Sequence, residues 1–137
     1  MALQASVAVR NGRADSVETV IGATAVLKIY DLTAGAPANC AAAITGTVLA
    51  TMTLPSDWMA AAASGAKAKS GTWQDASADA AGTADFFRLF ASDGTTCHLQ
   101  GTVTATGSGG DLTLDNTSIA SAQVVTITSF GWTEPNS

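Results

Sequence analysis

The sequence predicts a mainly β protein: an antiparallel β-sandwich or small barrel of about six or seven short strands behind an N-terminal helix. Three observations predict it. Apolar residues recur at helical spacing only near the start of the chain. From residue 25 onward they alternate with polar ones in short runs bounded by Gly, Pro and Asp-Gly turns. After residue 66 nothing resembles the crossover helix that parallel strands require.

The 137 residues suffice for one domain with one core. Within it, 1–22 is expected to be a helix or arm, 23–133 the β domain and 134–137 a tail. Ser6 is placed to cap a helix over 6–21, with Val7, Ala14, Val17, Val20 and Ile21 near one face and Gly22 ending it. Gly12 weakens that helix, and Leu3, Ala5, Val7 and Val9 also alternate as a strand would.

The next runs are assigned by their spacing. "AVLKIYD" (25–31) is a half-buried strand, 32–46 a loop, and "TVLATMTL" (47–54) a strand with Val48, Ala50, Met52 and Leu54 on one face. Pro55 stops it, and Ser56 or Asp57 is placed to cap a short helical turn, "WMAAAAS", before Gly65. Residues 67–84 are small and polar, with one irregular strand around Trp73. "DFFRLFA" (85–91) sets Phe86, Arg88 and Phe90 against Phe87 and Leu89. It turns at Asp93-Gly94 into 96–106, a hairpin signal. "GSGGD" turns again, 112–114 is a short strand, Asp115-Asn116 a further turn, and 122–133 the last strand.

Composition narrows the partners. Lys and Arg total 6 against 11 Asp and Glu, a net charge of −5, so the basic patch that displaces counterions from nucleic acid is not expected. An anionic membrane surface is disfavoured for the same reason, and no run approaches a membrane span. The start of the chain lacks the basic and apolar regions of a secretory leader, so export by that route is not expected. Charged residues are 12%, low for a freely exposed domain. Coverage by other subunits explains this, and so does a Thr/Ser-rich β surface.

"TTCHLQG" holds the only histidine, His98, beside Cys97. In a strand these neighbours point to opposite faces, which separates thiol from imidazole and removes a nucleophilic pair. Alternation would set Cys97 with Leu99 and His98 with Gln100. Cys40 and Cys97 are the only cysteines. They either form a disulfide or stay reduced, the commoner state for a protein made in a cytosol. With one histidine they match no zinc spacing. Asp75, Asp79 and Asp85 lack the spacing of a calcium loop and read as a solvated acidic run. Trp58, Trp73 and Trp132 are core residues first and interface anchors second. With His98 they are the candidate contact residues. No cofactor, metal site or catalytic group is expected.

"MALQASVAVRNGRADSVETVIG", "APANC", "LPSDWMAAAASGAKAKSGTWQDASADAAGTADFFRLF" and "DGTTCHLQGTVTATGSGGDLTLDN" resemble small proteins encoded in the structural-gene regions of tailed bacteriophages and prophages. The resemblance covers most of the chain and brings no catalytic motif with it. It implies a virion component made in the bacterial cytoplasm. The expectation is a capsid decoration or cement protein on the outer head. Its partners would be the major capsid protein and copies of itself, as a trimer or other homo-oligomer. The alternative is a tail, fibre or receptor-binding component. An enzyme acting on host glycan would rest only on unassigned carboxylates.

Overall fold

The structure, a computed structural model, describes residues 1–136. One helix, α1 (Val7–Ile21), precedes ten strands: β1 (Val26–Leu32), β2 (Gly46–Thr53), β3 (Ala66–Ala68), β4 (Gln74–Asp75), β5 (Gly82–Thr83), β6 (Phe86–Phe90), β7 (Cys97–Ala105), β8 (Leu112–Leu114), β9 (Ser118–Ile119) and β10 (Val125–Thr133). The main sheet has eight strands in the order β2-β1-β6-β7-β8-β10-β3, with β4 also on β10, while β5 and β9 pair separately. The mainly β expectation with a leading helix is met.

Two expectations about the sheet are corrected. It is mixed: β7 and β8 run parallel, Val103 opposite Leu112 and Ala105 opposite Leu114. The six residues 106–111 replace a crossover helix. Gly107 and Gly109, at φ 89° and 84°, let the chain double back in conformations other residues rarely adopt. Thr104 Oγ1 accepts from Gly110 N at 2.9 Å and holds the loop against β7. The sheet also curls without closing as a barrel. Its margins β2 and β4 meet through side chains and loop backbone. Asp75 Oδ2 accepts from Thr51 N (2.9 Å), Asp79 Oδ2 from Thr51 Oγ1 (2.9 Å), and Asp79 N donates to Leu49 O (2.8 Å).

Register shifts place side chains that simple alternation misplaces. Ile29 faces Ala50 and Tyr30 faces Val48, so Leu49 bulges. Leu49 is buried while Val48 is half-exposed, the reverse of the expected face. A second bulge lies at His98, because Leu89 faces Leu99 but Phe90 faces Cys97. Cys97 therefore shares a face with Phe90 and not with Leu99.

One face of β1, β6 and β7 carries Leu27, Ile29, Phe87 and Leu89 into a core with Trp58, Trp73 and Phe130. The other carries Tyr30, Phe86, Arg88 and Phe90, all buried. The loop 33–45 straps that second face. Arg88 Nη2 donates to Asn39 O (3.0 Å) and Ala42 O (2.7 Å), and Gln100 Nε2 donates to Pro37 O (2.8 Å). This strap explains why β6 is buried on both sides.

The expected helical turn at 58–64 is absent. Met59 bridges Lys69, and Ala63 bridges Ala66 around Ser64 and Gly65, so the segment is an extended hairpin. Its donors are taken by α1: Met59 N by Glu18, Ala62 N by Asp15 and Gly65 N by Asn11. Gly65 has φ 77°, and a Cβ there would lie 2.5 Å from the Arg10 guanidinium. The expected tail is docked as well. Arg10 Nε donates to Glu134 O (3.0 Å), Arg13 Nη2 to Pro135 O (3.1 Å), and Ala5 N to Asn136 O (3.0 Å). Ser137, the last tail position, lies outside the described residues.

Candidate functional site

Helix α1 starts and stops where the sequence placed its caps. Ser6 Oγ accepts from Val9 N at 3.3 Å, and Gly22, at φ 89°, donates its N–H to Glu18 O at 2.8 Å. Its faces are distributed differently from the expectation. Ala14 and Ile21 are buried and Val17 packs on the core, but Val7 and Val20 are 50% and 70% exposed. Half of the inward side is polar. Asn11, Asp15 and Glu18 follow at helical spacing and bind the 59–67 hairpin, so hydrogen bonds supply the docking that valines were expected to supply.

Lys67 anchors this joint. Its side chain is 3% exposed, and Nζ lies 2.7 Å from Asp15 Oδ1, 3.0 Å from Glu18 Oε2 and 2.9 Å from Ala60 O. Burial pushes the ammonium's pKa down, but hydrogen bonds to the two carboxylates outweigh it and leave the pKa raised. The same lysine, then the Ala62 N–H, hold Asp15 below the ordinary carboxylate value. In the sequence Lys67 counts only, with Lys69, as too small a basic cluster to bind nucleic acid. The usable signal was "AKA", whose alternation turns one lysine inward, opposite acids three apart on a helix.

The candidate contact residues separate. Trp58 and Trp73 are fully buried, with ring centroids 5.9 Å apart. Their indole N–H groups donate to Gly22 O and Ser70 O. They are core residues and cannot anchor a partner. Trp132 is half-buried, edge-on to Phe130 at 5.8 Å, and its Nε1 is buried without a hydrogen-bond partner among the described residues. It lines a hollow of about 330 Å³ with Val17, Phe87, Leu99 and Phe130. His98 is half-exposed beside Val17, Val20 and Leu99 around a second hollow of about 240 Å³.

Cys97 and His98 do lie on opposite faces, although the bulge exchanges their expected companions. Cys97 is bonded to Cys40, with Cα atoms 5.4 Å apart, and so fastens the strap to β7. Asp75, Asp79 and Asp85 are not a free acidic loop. Asp75 and Asp79 stitch the sheet margins, and Asp85 Oδ1 accepts from Leu32 N at 3.1 Å. Among the described residues no cluster of His, Cys, Asp or Glu is arranged to hold a metal ion.

Comparison with protein-family models, curated proteins and solved structures finds no match.

Exposed apolar side chains concentrate in the N-terminal segment. Of the six large apolar side chains that are strongly exposed, Met1, Leu3, Val7, Val9 and Val20 belong to the N-terminal segment; the sixth is Val124. Arg10, Arg13, Asp15 and Glu18 make contacts within the chain, although the Arg13 side chain stays 48% exposed beside Val9 and Ser16.

Proposed function

We propose that this protein is a bacteriophage structural protein, a capsid decoration or cement protein that binds the outer head surface and stabilises it. The observation that carries the reading is the concentration of exposed apolar side chains (Met1, Leu3, Val7, Val9 and Val20) in the N-terminal segment of a chain of net charge −5. It suits subunit contact on an outer shell, away from packaged DNA. The virion assignment draws on the sequence resemblance. The Cys40–Cys97 bond fits a protein that works outside the reducing cytosol in which it is made. The same proposal treats the curled sheet as a two-layer sandwich, its margins stitched by Asp75 and Asp79.

Cryo-electron microscopy of the particle that carries this gene tests the reading, together with copy number by quantitative mass spectrometry. The expected result is density for this fold on the outer head, at hundreds of copies. Copies in the tens or fewer, with density on the tail, would make it a tail or fibre component. Absence from the particle would overturn both assignments.

A further inference from the structure

We infer that the hollow between β7 and β10 is a peptide-binding slot, which takes an extended segment of a partner protein as an added strand of the sheet. The inference stands apart from the virion assignment. Three features carry it.

The first is a gap in the sheet. β8 separates β7 from β10 only over its own short length, Leu112–Leu114. It pairs with β7 from Val103 onward and with β10 no further than Phe130. Beyond that point β7 still reaches back to Cys97, with β6 on one edge, and β10 runs on to Thr133, with β3 on one edge. Their other edges border one hollow with no strand between them. Strands two places apart in a sheet lie about 9–10 Å from each other, so the space left is one strand wide. It is the hollow of about 330 Å³ backed by Val17, Phe87 and Phe130.

The second is unpaired main chain on both banks. Val103 N donates to Asp85 O, which fixes the alternation of β7: Leu99 and Gly101 bond toward β6, while Gln100 and Thr102 turn toward the gap. Thr102 N is met there by Asp111 Oδ2 at 2.9 Å, a side chain standing where a strand's carbonyl would. The main-chain N–H and C=O of Gln100 have no such partner among the described residues. On β10, Phe130 O accepts from Lys69 N and Glu134 N donates to Gly65 O, so Phe130, Trp132 and Glu134 bond toward β3. Gly131 N–H and both main-chain groups of Thr133 are left facing the gap. An added strand would meet the free groups of both banks, as strand addition to a sheet edge requires.

The third is the chemistry of the walls. Side chains of an added strand alternate between the faces of the sheet. Those turned inward meet Val17, Phe87 and Phe130, which selects apolar residues at every second position. Where β8 begins, the exposed Asp111 carboxylate has no cation within salt-bridge reach among the described residues, whereas Glu134 is already paired with Arg13 at 3.4 Å. A lysine or arginine at that end of the segment complements Asp111. The occupant is therefore an extended segment of alternating apolar and polar residues with one basic side chain, and a chain of net charge −5 attracts it.

The test uses the full oxidised chain, isotopically labelled for NMR, and blocked seven-residue peptides in which valine alternates with threonine and one threonine is replaced by lysine. In the free chain the amides of Gln100, Gly131 and Thr133 should exchange with solvent much faster than those of Gly101 and Trp132 on the paired edges. Peptide should shift those three amides with a dissociation constant of about 0.1–1 mM and slow their exchange. A peptide N-methylated at alternate amides cannot pair and should not bind. Thr133→Pro removes one donor from the gap and keeps the bonds to β3, so it should weaken binding about fivefold at an unchanged thermal midpoint. Asp111→Asn should weaken the lysine peptide about threefold and leave the all-threonine peptide unaffected. Protected Gln100, Gly131 and Thr133 amides in the free chain overturn the inference, because the gap is then closed. Protection that fades on dilution overturns it too, with a second copy as the occupant. Equal binding of the N-methylated peptide reduces the site to apolar contact and overturns it, as does the absence of any shift at these amides with millimolar peptide.

Discussion

Lys67 Nζ lies 2.7 Å from Asp15 Oδ1, and that contact joins the short strand β3 to the only helix among the described residues. Glu18 completes the joint at 3.0 Å. Lys67→Ala removes the ammonium from both carboxylates and from Ala60 O. Hydrogen bonds to charged groups contribute about 1.5–3 kcal/mol each, and unpairing buried charge costs more, so a loss of about 2–3 kcal/mol is expected in urea unfolding. Hydrogen exchange should quicken in α1 before the sheet. A midpoint within error of the unaltered chain would show that the joint is not holding the helix.

Stability should fall at both ends of the pH scale. Asp93 accepts from Thr96 Oγ1 and from the N–H groups of Thr96 and Thr95, which lowers its pKa from 3.8 to about 2. Asp15 is lowered too. A carboxylate with a lower pKa in the folded state stabilises fully above its unfolded value and loses that contribution as pH falls through the folded one. Lys67 works in the opposite sense. Its folded pKa is raised above 10.5, so its contribution is whole below that value and lost as pH rises further. Thermal midpoints measured from pH 2 to pH 11 should therefore be level in the middle and drop at each end. Asp93→Asn should flatten the fall between about pH 4 and pH 2. An unchanged acid limb would remove Asp93 from the explanation.

The disulfide should matter more than its surface position suggests. It links residues 57 apart, and the chain-entropy treatment puts such a cross-link at about 4 kcal/mol. Cys40→Ser should also free the strap over Tyr30, Phe86 and Phe90 and raise exchange at 33–45. Intact mass should increase by two hydrogens on reduction. Superimposable urea curves with and without reductant would contradict this.

Two glycines should respond in opposite directions. At Gly101 a Cβ would lie 2.7 Å from Asp111 Oδ2 and 2.8 Å from Phe87 Cε1. Asp111 is fixed there by accepting from Thr102 N (2.9 Å), so Gly101→Ala should cost about 1–3 kcal/mol. Gly12 sits in open space inside a helix, and Gly12→Ala should stabilise by about 1 kcal/mol. Equal effects at both positions would mean that the contacts at Gly101 yield without cost.

The helix caps, the Asp93-Gly94 hairpin and the burial of Trp58 and Trp73 were legible because each depends on residues close in sequence or on simple apolarity. Leu49 and His98 were misplaced because a bulge inserts one residue and inverts alternation beyond it, and nothing local marks it. The 58–64 hairpin was hidden because its alanines favour a helix until Asp15 and Glu18, more than forty residues away, take its N–H groups. The parallel β7–β8 pair escaped because three loop glycines reverse the chain where a crossover helix ordinarily would. The outer face of α1 was missed for a related reason. The apolar residues assigned to its buried side were partly on the outside, since polar docking leaves valine free to face away.

The clamp on α1 also orders events during synthesis. Arg10 and Arg13 are made long before Glu134 and Pro135, which receive them and lie 124 and 122 residues further along the chain. Lys67 meets its acids only after some fifty residues have followed them. Until residues 134 and 135 have been made, the helix has part of its seat missing. A nascent chain in this state invites chaperone binding or premature pairing with a neighbour on the same messenger. Translation speed across the stretch that separates the partners, and not only the composition of the protein, then influences how much of it reaches the folded state.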